Sequence, residues 1–221
     1  MSQPDHASPA SPRWHRRPEA RPDEILDAAL EVFGEHGFAR AKLEDVAARA
    51  GVSKGTLYLY FDSKETLFRA MVRAKLVAAV QEGRAFVESF QGSSRDLLVA
   101  FIKRMYAVLR EPRLSRITKL VQSELASFPE LARFYFDEVI LPARRLLASI
   151  LERGVASGEF RPVAHGFAER AIPSLMVHTA QVQCFFTQFD PGALTDEQIL
   201  QGVIDFALHG VLARPEPARK A

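Results

Sequence analysis

The chain has a single cysteine, Cys184, so an internal disulfide and any site built from several thiolates are excluded, which suits a reducing cytoplasm. It also has little net charge. Across 221 residues, 29 Lys and Arg face 27 Asp and Glu, leaving +2, so any affinity for nucleic acid must come from a local patch. No apolar run approaches the ~18 residues needed to span a bilayer, so a soluble protein with no membrane partner is expected. No stretch alternates apolar and polar residues with period two, which argues against sheets. Neither G-x-G-x-x-G nor a Walker-type loop is present, and His165, His178 and His209 are scattered without a neighbouring nucleophile or metal-ligand spacing. The expectation is a protein that is not an enzyme and needs no cofactor.

What is present is helical periodicity, densest in residues 43 to 67, LEDVAARAGVSKGTLYLYFDSKETL. Leu43, Val46, Ala47 and Ala50 share one helix face. Gly51 can take the left-handed conformation that ends this helix, and Val52 tucks beneath the turn. Ser53 is an N-cap for a second, short helix whose first exposed side chains are Lys54 and Thr56, with Gly55 permitting close backbone approach. Leu57 and Phe61 anchor it inward, whereas Tyr58 and Tyr60 can place hydroxyls within reach of phosphate oxygens. Asp62 and Ser63 cap a third helix, and its first residue, Lys64, brings a cation to a helix N-terminus that already favours an anion. The order of helix, tight turn and helix is that of a helix-turn-helix.

This segment resembles the DNA-binding domain of the TetR family of bacterial transcriptional regulators. The likeness is carried by Gly37-Phe38, Asp45-Val46-Ala47, Ala50 to Ser53, Gly55 to Tyr58, Tyr60-Phe61 and Ser63 to Leu67, and it covers roughly residues 22 to 70. One departure is Lys42, where the family usually has a capping Thr. Lys42 cannot cap the helix, a loss of about 1 kcal/mol, but its ammonium can reach a phosphate. The expected DNA contacts are therefore Lys42, Ser53, Lys54, Gly55, Thr56, Tyr58, Tyr60 and Lys64.

With 48% hydrophobic residues, a chain of this length buries more than one small helical unit, so a second domain is required. Residues 1–21, rich in Pro, Ser and Ala, read as a disordered basic arm. Residues 22–70 form the DNA-binding unit, 71–214 a helical effector-binding and dimerisation domain, and 215–221 a flexible tail. Arg16-Arg17 is followed by an acidic amphipathic segment rather than an apolar core, which argues against export. The periodicity predicts an all-α fold of about nine helices. One long helix from Lys64 to about Phe90 joins the domains, Ser93 and Thr195 are caps, Pro112 and Pro129 stand in first turns, and bends are expected at Pro142 and Pro173.

The last helix is apolar in nearly every direction and should be covered by a partner. Phe167, Leu175, Val182, Leu200, Ile204, Leu208 and Val211 are the expected homodimer contacts, and a two-fold dimer would read a near-palindromic double-stranded operator. The family resemblance implies a small apolar or amphipathic effector, and implies repression as the usual outcome. Candidate cavity residues are Phe101, Met105, Phe134 and Met176, with Glu124, His178 and Gln181 as polar groups. The alternatives are activation, or a DNA-binding protein that is independent of an effector or controlled by a protein partner.

Overall fold

The computed structural model describes residues 22–124, 126–162 and 166–212, and only the backbone of 181–185; the expected N-terminal arm and tail lie outside this range. Among the described residues the chain forms nine helices and no strand, apart from one isolated antiparallel bridge between Phe160 and Leu212.

Helix α1 (Pro22–Arg40) is acidic in its first turn and buries Ile25, Ala29, Val32 and Phe33. Its helical path breaks at Gly37, where φ of 73° and ψ of 158° lie in a region open essentially to glycine alone. Helices α2 (Leu43–Arg49) and α3 (Lys54–Tyr60) follow, with Gly51 left-handed between them at φ 68°. Lys42 occupies the N-cap of α2 and makes no side-chain capping bond. Ser53 does cap α3, and Ser63 caps α4, each accepting the backbone N–H three residues on.

Helix α4 runs as Lys64–Val72, loosens into a π turn at Arg73–Val77, and continues as Ala78–Ser89. Helices α5 (Ser94–Arg110) and α6 (Pro112–Glu124) come next. Helix α7 begins as Pro129–Tyr135, passes through a second π turn at Phe136–Ile140 and resumes as Leu141–Ala156. The second π turn ends just before Pro142. A proline has no N–H to donate and its ring crowds the carbonyl four residues back, so widening the helix there relieves both problems. The two π turns pack on each other, and Arg73 grips Glu138 between them with Nε donating to Oε2 at 2.7 Å. Helix α8 (Ala168–Phe186) contains Pro173, and α9 (Asp196–Val211) opens with a complete capping box between Thr195 and Gln198.

Two apolar clusters result. The first joins α1 to α4 with Ile117, Leu120 and Val121 of α6 and Leu131, Phe134, Tyr135 and Val139 of α7. The core of the N-terminal unit is thus not closed at residue 70 but shared with the next domain. The second cluster holds α5, the distal half of α7, α8 and α9.

Ile204, Leu208 and Val211 are buried within their own chain, because α9 packs on α5 and α8. The outward side of α9 instead carries Phe206, with open space beside Gly202 and Gly210. Leu200 is half-buried against the same cluster, while Phe167 and Leu175 are exposed. The side chain of Val182 lies outside the described residues.

Candidate functional site

The turn after Gly51 projects α3 from the body of the molecule. Leu57 is fully buried against the first cluster and serves as the helix's root. A residue two positions on is rotated by about 200°, so Leu59 points almost directly away from the body, and it is 83% exposed. Sequence reasoning passed over it, although its place opposite Leu57 on the helical wheel was available. Tyr58 and Tyr60 flank it and are both exposed, and Gly55 has open space above it apart from the Ser53 hydroxyl.

The polar residues of α3 are organised rather than loose. The Ser53 hydroxyl accepts the Thr56 N–H at 3.0 Å and shares a hydrogen bond of 2.8 Å with the Thr56 hydroxyl. Lys54 makes an ion pair of 2.5 Å with Glu44 of α2, and its ammonium lies 5.6 Å from the centre of the Tyr58 ring. The hydrogen bond from Lys54 holds the Glu44 carboxyl below its ordinary range. The pair is solvent-exposed and so holds Lys54 only weakly, and its ammonium has further donors to offer.

Lys42, Tyr58 and Lys64 come together in one surface groove with Arg40, Asp62 and Ser63. Lys64 also has partners within the chain. Its ammonium donates to the carbonyls of Phe38 and Ala39 at 2.9 and 2.8 Å and lies over the Phe38 ring. Lys64 thus ties the end of α1 to the start of α4 by clamping carbonyls of the last turn of α1, which have no helical donor beyond Arg40. Arg40 and Lys42 are the exposed cations of this groove, and Arg40 was not anticipated.

A second feature lies between the helices of the C-terminal domain. An apolar cavity of about 190 Å³ is walled by Leu76 and Val80 of α4, Phe101 and Met105 of α5, Val139 of α7 and Val177 of α8. An outer chamber of about 320 Å³ shares Phe101, Met105 and Val177 and adds Arg144, Glu169 and His178. Phe101 and Met105 line both chambers, and His178 lines the outer one.

Glu124, Phe134 and Met176 do not line either chamber. Glu124 ends α6 and turns away, so that its Oε1 accepts the Phe38 N–H at 3.0 Å, spanning 86 residues of sequence. Phe134 belongs to the first cluster, with the guanidinium groups of Arg69 and Arg73 stacked 4.7 and 5.2 Å from its centre. Met176 is fully buried in the second cluster. The side chain of Gln181 lies outside the described residues.

No group of three His, Cys, Asp or Glu among the described residues could hold a metal ion, and no described helix is long and apolar enough to cross a membrane. Comparison with known proteins joins these observations to a family. Residues 25–71 match the description "Bacterial regulatory proteins, tetR family", and residues 90–184 match "Tetracyclin repressor-like, C-terminal domain". The HTH-type transcriptional repressor KstR2 of Rhodococcus jostii is 32% identical over 142 residues, covering 64% of this chain and 68% of that protein. The HTH-type transcriptional regulator RutR of Escherichia coli is 32% identical over 152 residues, covering 67% and 68%. A solved structure of the regulator FadR from Bacillus subtilis, in complex with stearoyl-CoA, superposes with a TM-score of 0.71 at 23% identity, over 86% of this chain and 99% of that one. With the α3 platform in place and both matches spanning its two domains, the chain belongs to the TetR family of DNA-binding transcriptional regulators.

Proposed function

We propose that this protein is a repressor that binds a near-palindromic operator as a two-fold dimer and releases it when a small molecule enters the cavity between α4, α5, α7 and α8. One observation carries the reading: α4 belongs to both parts of the machine. Its N-terminal half places Leu67, Phe68 and Met71 in the core beneath α3, while Leu76, Val80 and Gly83 of its distal half wall the cavity. A ligand that is accommodated better in one setting of α4 than in another must bias the position of α3, and one with equal affinity for both would do nothing.

In the DNA complex, Gly55 and Leu59 face the major groove, Thr56 reads a base edge, and Leu59 meets a thymine methyl group. Tyr58, Tyr60, Lys42, Arg40 and Lys54 contact phosphates, and Ser53 and Lys64 hold α3 and α4 in position. Dimerisation is supported by the exposed Phe206 and Leu175 on adjacent helices, with Gly202 and Gly210 leaving room for close helix approach.

The test is selection of bound sequences from random duplexes, followed by titration of the selected site across salt concentrations. Lys42→Ala and Lys54→Ala are expected to weaken operator and random DNA alike and to reduce the salt slope by about 0.9 per lost phosphate contact. Leu59→Ser is expected to lower discrimination at one base pair and leave the slope unchanged. Equal effects from both classes, or a monomer in sedimentation, overturn the reading.

A further inference from the structure

Among the described residues, two buried side-chain polar atoms have no hydrogen-bond partner: Arg104 Nε and Glu169 Oε2. Both belong to residues lining the cavity just described, Arg104 in the inner chamber and Glu169 in the outer one. Buried polar atoms are nearly always satisfied and leaving one unmet is costly, so a ligand beside these two residues gains a bond wherever the side chain turns its unmet atom toward the cavity. We propose, on the reading that this cavity is the effector site, that the effector is a small amphipathic molecule with a hydrogen-bond-donating head, a hydroxyl or an ammonium, that meets Glu169 while its apolar body fills the inner chamber.

The polarity of the head follows from what each neighbour is already doing. The Arg144 guanidinium stacks 5.7 Å from the centre of the Phe136 ring, and Arg170 donates to the Gly166 carbonyl. Arg104 donates through Nη2 to Glu82 at 2.8 Å. Each of these cations already has a partner, whereas Oε2 of Glu169 is buried and has none. An anionic head would meet that oxygen with like charge, whereas a donor completes it. Arg104 Nε adds the complementary demand for one acceptor, which an ether or carbonyl oxygen satisfies.

The size of the body follows from the inner chamber. An apolar cavity of about 150 Å³ takes a benzene ring. At about 190 Å³ the chamber holds one ring or a short chain, and a long acyl chain does not fit without moving its walls.

Four probes with the same ring and two-carbon arm or its nearest equivalent separate head from body: phenethylamine, phenethyl alcohol, phenylacetate and ethylbenzene. In calorimetric titration of the full-length protein, the amine and the alcohol are expected to bind at least about tenfold more tightly than phenylacetate and ethylbenzene. Glu169→Leu is expected to erase that preference, and Glu169→Gln to retain the alcohol while losing the advantage of the amine. Ala143→Trp, at a residue that lines both chambers, places an indole where they meet and should abolish binding of all four. Thermal melts establish that each variant is folded, and Glu169→Gln, being nearly isosteric, suffices if Ala143→Trp is not. Phenylacetate binding as tightly as the amine, a head preference that survives Glu169→Leu, or no binding of any probe to the native protein overturns the proposal. Operator binding measured in parallel keeps the two readings apart. If another compound releases the operator while none of the four binds, the donor-head claim falls and the regulator reading stands. If no duplex is preferred at all, the regulator reading falls.

Discussion

Removing the Glu124 carboxylate tests how the two domains are held together. Its Oε1 accepts the Phe38 N–H at 3.0 Å, at the point where Gly37 breaks α1 and leaves that amide without a helical acceptor. The Phe38 ring packs against Phe33, Phe68 and Phe128 with centroids 5.6, 5.2 and 4.9 Å away, so both its backbone and its side chain tie the DNA-binding unit to the domain behind it. A hydrogen bond to a charged group is worth about 1.5–3 kcal/mol, and in Glu124→Ala the buried Phe38 amide is left unmet. Taking about 2 kcal/mol, and about 2–4 °C of melting temperature per kcal/mol for a chain of this size, the variant should melt about 4–8 °C below the parent. Glu124→Gln keeps an acceptor oxygen in place and should lose less than half of that. The assay is a thermal melt followed by circular dichroism, with effector titration alongside. If Ala and Gln variants melt together, or if Glu124→Ala melts within about 1 °C of the parent yet binds effector poorly, then Glu124 is not an interdomain tie and the ligand role expected from sequence is the right one.

Two further predictions concern the C-terminal domain. A Cβ on Gly154 would overlap the ring of buried Phe160, whose N–H donates to the Gly154 carbonyl at 2.9 Å. Gly154→Ala is therefore expected to destabilise by about 1–3 kcal/mol despite the better helix propensity of alanine, and adding Phe160→Leu should restore part of the loss in a denaturant titration. Glu159 accepts the N–H groups of Ser94 and Arg95 at 2.9 and 3.0 Å at the start of α5, and these bonds bring its carboxyl from 4.5 down to about 2. Because the folded-state value is the lower one, the stabilisation is complete above pH 4.5 and is lost as the pH falls toward 2. Glu159→Gln should thus lower the melting temperature at neutral pH, and the gap to the parent should close across that acid range; a constant gap refutes the capping role.

The chain itself encoded the nine helices and most of their ends. Ser53, Ser63, Ser93 and Thr195 cap the helices that their spacing predicted, and the left-handed turn stands at Gly51, because caps and turns are decided within four residues of sequence. The tight fit of one motif in residues 43 to 67 was also enough to point to the family. Tertiary packing decided what those helices do to one another. Lys64 lies at a helix N-terminus, yet it serves carbonyls 25 and 26 residues upstream. Nor does the apolar surplus of α9 say which side meets its own core; α5 and α8 take Ile204, Leu208 and Val211 and leave Phe206 outside. The cavity and the unmet oxygen of Glu169 arise from helices far apart in the chain. Short-range hydrogen bonds and periodicity are written along a sequence, whereas the partner of a long side chain depends on which distant surface the fold brings beside it.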